Sequence, residues 1–294
     1  MGQFNGDLGW MATAPEDSAY GTAGATIDMQ YQQGISASLK WNENRNIPPT
    51  LGSTDAHPGI QLATWWAGTW LLGHTDEEDE VGEIYANVAS VSSQVYTMGG
   101  TPDKASLTYF TDLNGVEYVF DGGIVQGITW NLSASEFSTM SLDLIGQGVS
   151  KWGGASRTPT RPPATEIITP GDLGTFTIGG VSLASCIKGA TINWAWPTTD
   201  IGRQRLGSTE IPQPIRVGRQ TVAATFNLEL DSGSNANTVD ILDDLLDNSS
   251  LGTIILDNFT LGGCVATGEL PDLASGLIDV TLSVAGTGLL VTTT

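Results

Sequence analysis

In "TVAATFNLELD" (221–231) apolar and polar residues take turns, with Val222, Ala224, Phe226, Leu228 and Leu230 on one side and Thr225, Asn227, Glu229 and Asp231 on the other. A period of two is the mark of a β-strand with one dry and one wet face. The same alternation sets Ile128, Trp130 and Leu132 against Thr129, Asn131 and Ser133, and Met140, Leu142 and Leu144 against Ser141 and Asp143. It returns in Ile278, Val280, Leu282 and Val284 against Asp279, Thr281 and Ser283. Half-buried strands of this kind belong to antiparallel sheets. One stretch breaks the rule: "TVDILDDLLDN" (238–248) gathers Val239, Ile241, Leu242, Leu245 and Leu246 at helical spacing behind Thr238 as N-cap. A short helix packed on the sheets is expected there. Its counterpart in the first half is read as "ATWWAGTWLLG" (63–73), with Trp65, Trp66, Trp70 and Leu71 on a helical face, although these residues also permit a strand.

The pattern also repeats at long range. "GGIVQGITWNLSASEFSTMSLDLIGQG" (122–148) is echoed by "GGCVATGELPDLASGLIDVTLSVAGTG" (262–288), which matches Gly122, Gly123, Val125, Ser135, Leu142, Gly146 and Gly148 at an offset of 140. Upstream, "LGST" occurs at 51–54 and 206–209, and "SASLKW" (36–41) resembles "GATINW" (189–194), at offsets of 155 and 153. A tandem duplication with drifted loops accounts for both. The expected organisation is an N-terminal arm (1–34) without a core of its own, a first domain (35–148), a Pro-rich linker (149–174) and a second domain (175–294). In an extended path the linker reaches on the order of 60 Å, enough to set the second domain beside the first.

Composition narrows the function classes. With 32 acidic against 11 basic residues and a net charge of −21, the chain repels nucleic acid and anionic membranes, so any contact with DNA is a sliding one. No apolar run approaches the ~18 residues of a membrane span, and "MGQFNGDLGW" lacks a basic, apolar leader, so folding in a cytoplasm and no membrane insertion are expected. Cys186 and Cys264 form no metal or redox spacing and read as small buried residues. His57 and His74 read as surface or loop histidines, and the acidic run "DEEDE" (76–80) as a solvated hairpin tip, since it lacks the spacing of a calcium loop. No nucleophile elbow, P-loop or dinucleotide fingerprint occurs, so neither an enzyme nor a cofactor is expected.

The second-half run "VSLASCIKGATINWAW…RLGSTEIPQPIRVGRQTVAATFNLEL", followed by a short Asp/Leu helix and "GGCVATGELPDLASGLIDVTLSVAG", resembles the major tail tube proteins of long-tailed, non-contractile bacteriophages. "VEYVFDGGIVQGITWNLSASEFSTMSLDLIGQG" in the first half is similar to the same pattern. The resemblance implies two tail-tube-like β-sandwich or barrel domains, each antiparallel with one flanking helix. It implies a structural virion protein that self-associates into rings stacked as a tube for genome ejection. Three chains of two copies each would complete a pseudo-sixfold ring, with tape measure, tail terminator and distal tail proteins as partners and the virion tail as location. Asn131, Ser141, Asp143, Glu229, Asp279 and Thr281 are then the candidate lumen-facing residues, an acidic wall past which double-stranded DNA slips. A carbohydrate-binding or adhesin module is the alternative, because nine tryptophans on a β-sandwich can stack sugars; it requires several of them exposed on one face.

Overall fold

The computed structural model describes residues 2–16, 20–21, 30–42, 45–46, 60–61, 65–113, 116–151, 167–169, 171–198, 213, 215–231, 250–267 and 277–294. The first half holds β1 (Gly2–Pro15), β2 (Gln30–Gln32), β3 (Gly34–Asn42), β4 (Arg45–Asn46), β5 (Ile60–Gln61), β6 (Trp65–Gly73) and α1 (Glu78–Ala86). It continues with β7 (Ala89–Ser92), β8 (Val95–Met98), β9 (Leu107–Leu113), β10 (Val116–Ser133), β11 (Thr139–Gly146) and β12 (Gly148–Lys151). The second half holds β13 (Phe176–Ile178), β14 (Val181–Ser182), β15 (Ile187–Ala195), β16 (Thr221–Asp231), β17 (Ser250–Leu256), β18 (Phe259–Ala266), β19 (Leu277–Gly286) and β20 (Gly288–Thr292). Every described pairing is antiparallel, and the expected mostly-β class holds.

One layer runs through both halves, in the order β1–β3–β6–β11–β10–β15–β16–β19. It consists of two four-stranded blocks with the same register. In the first block Phe4 opposes Leu39, Ala37 opposes Trp70 and Trp70 opposes Leu142. In the second, Trp130 opposes Ile192, Ala190 opposes Phe226 and Phe226 opposes Leu282. The blocks meet where β11 pairs with β10, as in Leu142 against Ile128.

Two further sheets lie against this layer, β2–β1–β9–β10–β12 and β14–β13–β17–β18–β20–β8–β7. β1 and β10 belong to two layers each and so form corners. β10 changes layers at a bulge next to Gly122, whose φ of 67° suits a residue without Cβ. Within the N-terminal arm, residues 2–15 form β1, whose Met11, Ala12 and Ala14 are buried, so this stretch is part of the core rather than free of it. Of the linker range, residues 149–151 complete β12 and 152–166 lie outside the described residues.

Two local expectations need correction. Residues 65–73 form strand β6, not a helix: Trp66, Trp70 and Leu72 are fully buried at even positions, and period two overrides the apparent helical face. The helix of the first half is α1, which begins inside the acidic run taken for a hairpin tip. Glu78, Asp79 and Glu80 sit in its first turn, where carboxylates complement the helix dipole, and Val81, Ile84 and Tyr85 supply the buried face at i, i+3 and i+4. The expected helix at 238–248 lies outside the described residues.

A single core cluster draws side chains from both halves. Trp66 and Trp70 meet Tyr109 and Phe120 edge-on, and Trp130 meets Phe259 of the second half at 5.3 Å between ring centres. Such pairs add about 0.5–1.5 kcal/mol each beyond burial. The Trp130 indole N–H donates to the Tyr85 hydroxyl at 3.1 Å, which gives this buried polar group its partner. Cys186 and Cys264 are both free and buried. His74 is buried as well, against Phe259, which corrects its reading as a surface histidine; His57 lies outside the described residues.

Candidate functional site

Alternation along the eight-stranded layer puts its largest apolar side chains inward and leaves an outer face whose described side chains are mostly small or polar, with Leu71 and Ile145 among them. Neighbouring strands tie this face together side chain to side chain. Thr69 donates to Asp143 at 2.9 Å, Thr129 to Asn193 at 2.8 Å, Thr191 to Asn131 at 3.1 Å and Thr281 to Asn227 at 3.3 Å. The second and third of these bonds cross from β10 to β15 and so join the two halves. Cross-strand pairs of this type contribute roughly 0.2–1 kcal/mol each. A groove of about 440 Å³ lies on the face between Lys40, Thr69, Asp143 and Ala195. Gly68 and Gly127 line it, and Gly68 has a steric role too, since a Cβ there would come within 2.5 Å of the Ser38 carbonyl oxygen.

Five of the six sequence-predicted residues fall on this face. Asn131, Asp143 and Thr281 are exposed, Ser141 and Glu229 partly so, and Asp279 holds the register position opposite Glu229. Their alternation with buried neighbours made that placement legible. Asp143 and Asp279 do not sit at equivalent levels: the shared register matches Asp143 to Ser283 and Asp279 to Thr139, because the two aspartates lie four residues short of the offset of 140, an even difference that keeps the face and shifts the level. Among the described side chains of the face, Lys40 and Lys188 stand with Asp143 and Glu229, and Lys188 is ion-paired with Glu229. The described part of the face is therefore polar and carries charges of both signs, and Asp279 adds an acidic position by register. Lys188 was missed because it lies at a bulge and its ion-pair partner is on the next strand, features of pairing and not of one strand's sequence; Lys40 continues the alternation of Ser36 and Ser38 and was open to the same reading.

Other ionisable groups serve packing. Burial holds the His74 imidazole down to about 3, so it is neutral. Burial, assisted by Glu16, pushes Asp121 up to about 7. Glu16 accepts hydrogen bonds from Ser106 and from the backbone N–H groups of Gly21 and Gly122, which pins the end of β1 to the β10 bulge. Arg216, in the segment before β16, reaches back to the first half and donates to the carbonyls of Val125 at 2.9 Å and Asn87 at 2.8 Å. Its guanidinium also lies over Trp194 and Trp196. No cluster of three or more metal-ligating side chains occurs among the described residues.

The tryptophans bear on the sugar-binding alternative. Trp66, Trp70, Trp130 and Trp194 are fully buried, so among the described side chains they form no exposed stacking platform. A profile of the family described as phage tail tube protein matches residues 2–263. No curated protein matches the chain.

Proposed function

The chain belongs to the phage tail tube protein family, and from that premise we propose that three copies close a ring whose inner wall is the polar face of the eight-stranded layer. As a family member it is a structural component of the virion tail that assembles with itself into a tube. The observation that carries the proposal is the common register of the blocks β1–β3–β6–β11 and β10–β15–β16–β19. A chain with two matched wall segments supports the reading of a tandem duplication, and supplies two of six equivalent places in a ring. Three chains would contribute 24 strands; at ~4.8 Å per strand the wall is at least ~115 Å around, before strand tilt widens it.

The polar face suits passage of double-stranded DNA. Among its described side chains Lys188 is ion-paired with Glu229 and no lysine or arginine array holds phosphates, and hydroxyls and amides already engaged with one another do not compete for the duplex. Genome ejection through a long, non-contractile tail, synthesis in the host cytoplasm, a tape measure protein in the bore and terminator and distal tail proteins at the tube ends complete the proposal. Electron microscopy of the purified protein tests it. Hollow tubes of stacked rings support the reading, and particles without a lumen overturn it.

A further inference from the structure

The two ends of the eight-stranded layer are unlike its interior. β19 pairs with β16 along its whole length, but on its other side it meets β18 at Val265 against Ala285 and Ala266 against Val284, with one more bond from the Thr267 N–H to the Ser283 carbonyl at 2.7 Å. Among the described residues no strand lies along Leu277–Leu282 on that side. The equivalent strand β11 is covered there by β10 through Asn131. The sequence agrees: where the first half has "ITWNLSASE" (128–136), the second has "GELPDLASG" (268–276), which lacks the alternation and contains Pro271, a residue without an N–H to donate. At the opposite end, residues 2–7 of β1 pair with β3, and among the described residues nothing pairs with their other edge. β1 holds on β3 the place that β10 holds on β15, residue for residue: Gln3 opposes Lys40 as Thr129 opposes Asn193, Phe4 opposes Leu39 as Trp130 opposes Ile192, and Asn5 opposes Ser38 as Asn131 opposes Thr191.

We propose that the open edge of β19 receives β1 of a second copy of this chain, in the register that β11 and β10 use within one chain. Thr129 opposes Ser141, Trp130 opposes Met140 and Asn131 opposes Thr139. Carried to the equivalent strands, Gln3 of the incoming copy stands opposite Thr281, Phe4 opposite Val280 and Asn5 opposite Asp279. The match preserves parity, since Val280 is buried like Met140, and Thr281 is exposed on the face that carries Ser141. Addition of a strand gives the edge its missing backbone partners and removes the hazard of an open edge. The junction inside each chain is thus the template for the junction between chains. This inference rests on the ring reading, and specifies which edges close the ring.

The test is a disulfide trap. Residues directly opposite on antiparallel strands have Cβ atoms ~4.5–5.5 Å apart, close enough for a disulfide after a small shift. A Gln3→Cys, Thr281→Cys variant, oxidised as assembled rings, is expected to give covalent dimers and a closed covalent trimer on a non-reducing gel, and only monomers when oxidised before assembly. A mixture of the two single variants should link in pairs that neither forms alone, whereas Phe4→Cys with Thr281→Cys, out of phase, should not link. A deletion of residues 2–7 should leave a soluble protein with unchanged β circular dichroism that forms no rings. Rings that assemble but link neither at Gln3 and Thr281 nor, in an Asn5→Cys, Asp279→Cys variant, at the next pair of the same register parity would overturn this pairing while leaving the ring in place. So would rings formed by the deletion variant. Absence of rings from the unmodified protein would overturn the ring reading and the pairing together.

Discussion

Trp130 of β10 stands directly opposite Ile192 of β15, both fully buried, at the seam where the first half of the chain hydrogen-bonds to the second. Two segments 62 residues apart in sequence thereby become neighbours in one sheet over one core.

Trp130→Ala removes a buried indole that contacts Phe259 and donates to Tyr85. A loss of about 3–5 kcal/mol is expected, from the cavity and the lost hydrogen bond together, with the Tyr85 hydroxyl keeping its contact to the Met140 sulfur. Because the core is shared, chemical denaturation should show one transition in both proteins, at a lower midpoint in the variant. Two transitions, with only the first half weakened, would contradict the shared core.

Acid should weaken the fold through His74. Its imidazole resists protonation down to about pH 3 when folded, whereas an unfolded histidine takes up a proton near ~6.5. The unfolded chain therefore binds the extra proton between these values, and stability falls as pH drops through that window, by up to about 1.4 kcal/mol per unit from this group. In His74→Phe the decline between pH 6 and 4 should be shallower, as read from denaturant midpoints.

Asp121 has the opposite sign. Its folded value is raised to about 7 from an ordinary 3.8, so in between the folded chain keeps a proton that the unfolded chain releases, and stability is lost as pH rises through 7. Asp121→Asn should therefore be close to neutral at pH 4 and increasingly stabilising toward pH 8. A benefit that does not change with pH would place the effect in packing instead.

The charge of the polar face is testable by changing it. Asn131 and Asp143 are exposed, and each accepts one cross-strand hydrogen bond, so Asn131→Lys with Asp143→Lys should cost roughly 0.2–1 kcal/mol per site and leave assembly intact. In the proposed ring every subunit then adds cations to the bore, which attract phosphates and slow DNA release, most at low salt. Release kinetics of variant virions at several ionic strengths check this. Unchanged release at low salt would place these residues away from the bore.

Wherever one face is wet and one is dry, the fold was legible, as in the segments around 128–133, 140–144, 221–231 and 278–284. It was hidden where local composition blurs the period. Adjacent Trp65 and Trp66 mask the parity of β6, three consecutive carboxylates mask the helical spacing of Val81, Ile84 and Tyr85, and the glycines of "GQFNGDLGW" mask β1. The polar face could be read because it depends on alternation alone. Its ion pair could not, because the pairing of Lys188 with Glu229 joins a bulge to another strand. Nor could the Arg216 anchor, which lies 91 residues from the Val125 carbonyl it binds.

The symmetry of a single ring tests the central claim most directly. Tubes assembled from the purified protein, imaged end-on and averaged without imposed symmetry, should show six similar wall segments that alternate in detail, with true three-fold symmetry and a mass of three chains per ring. Six-fold symmetry with six chains per ring would contradict the account, because each chain would then fill one place with two blocks.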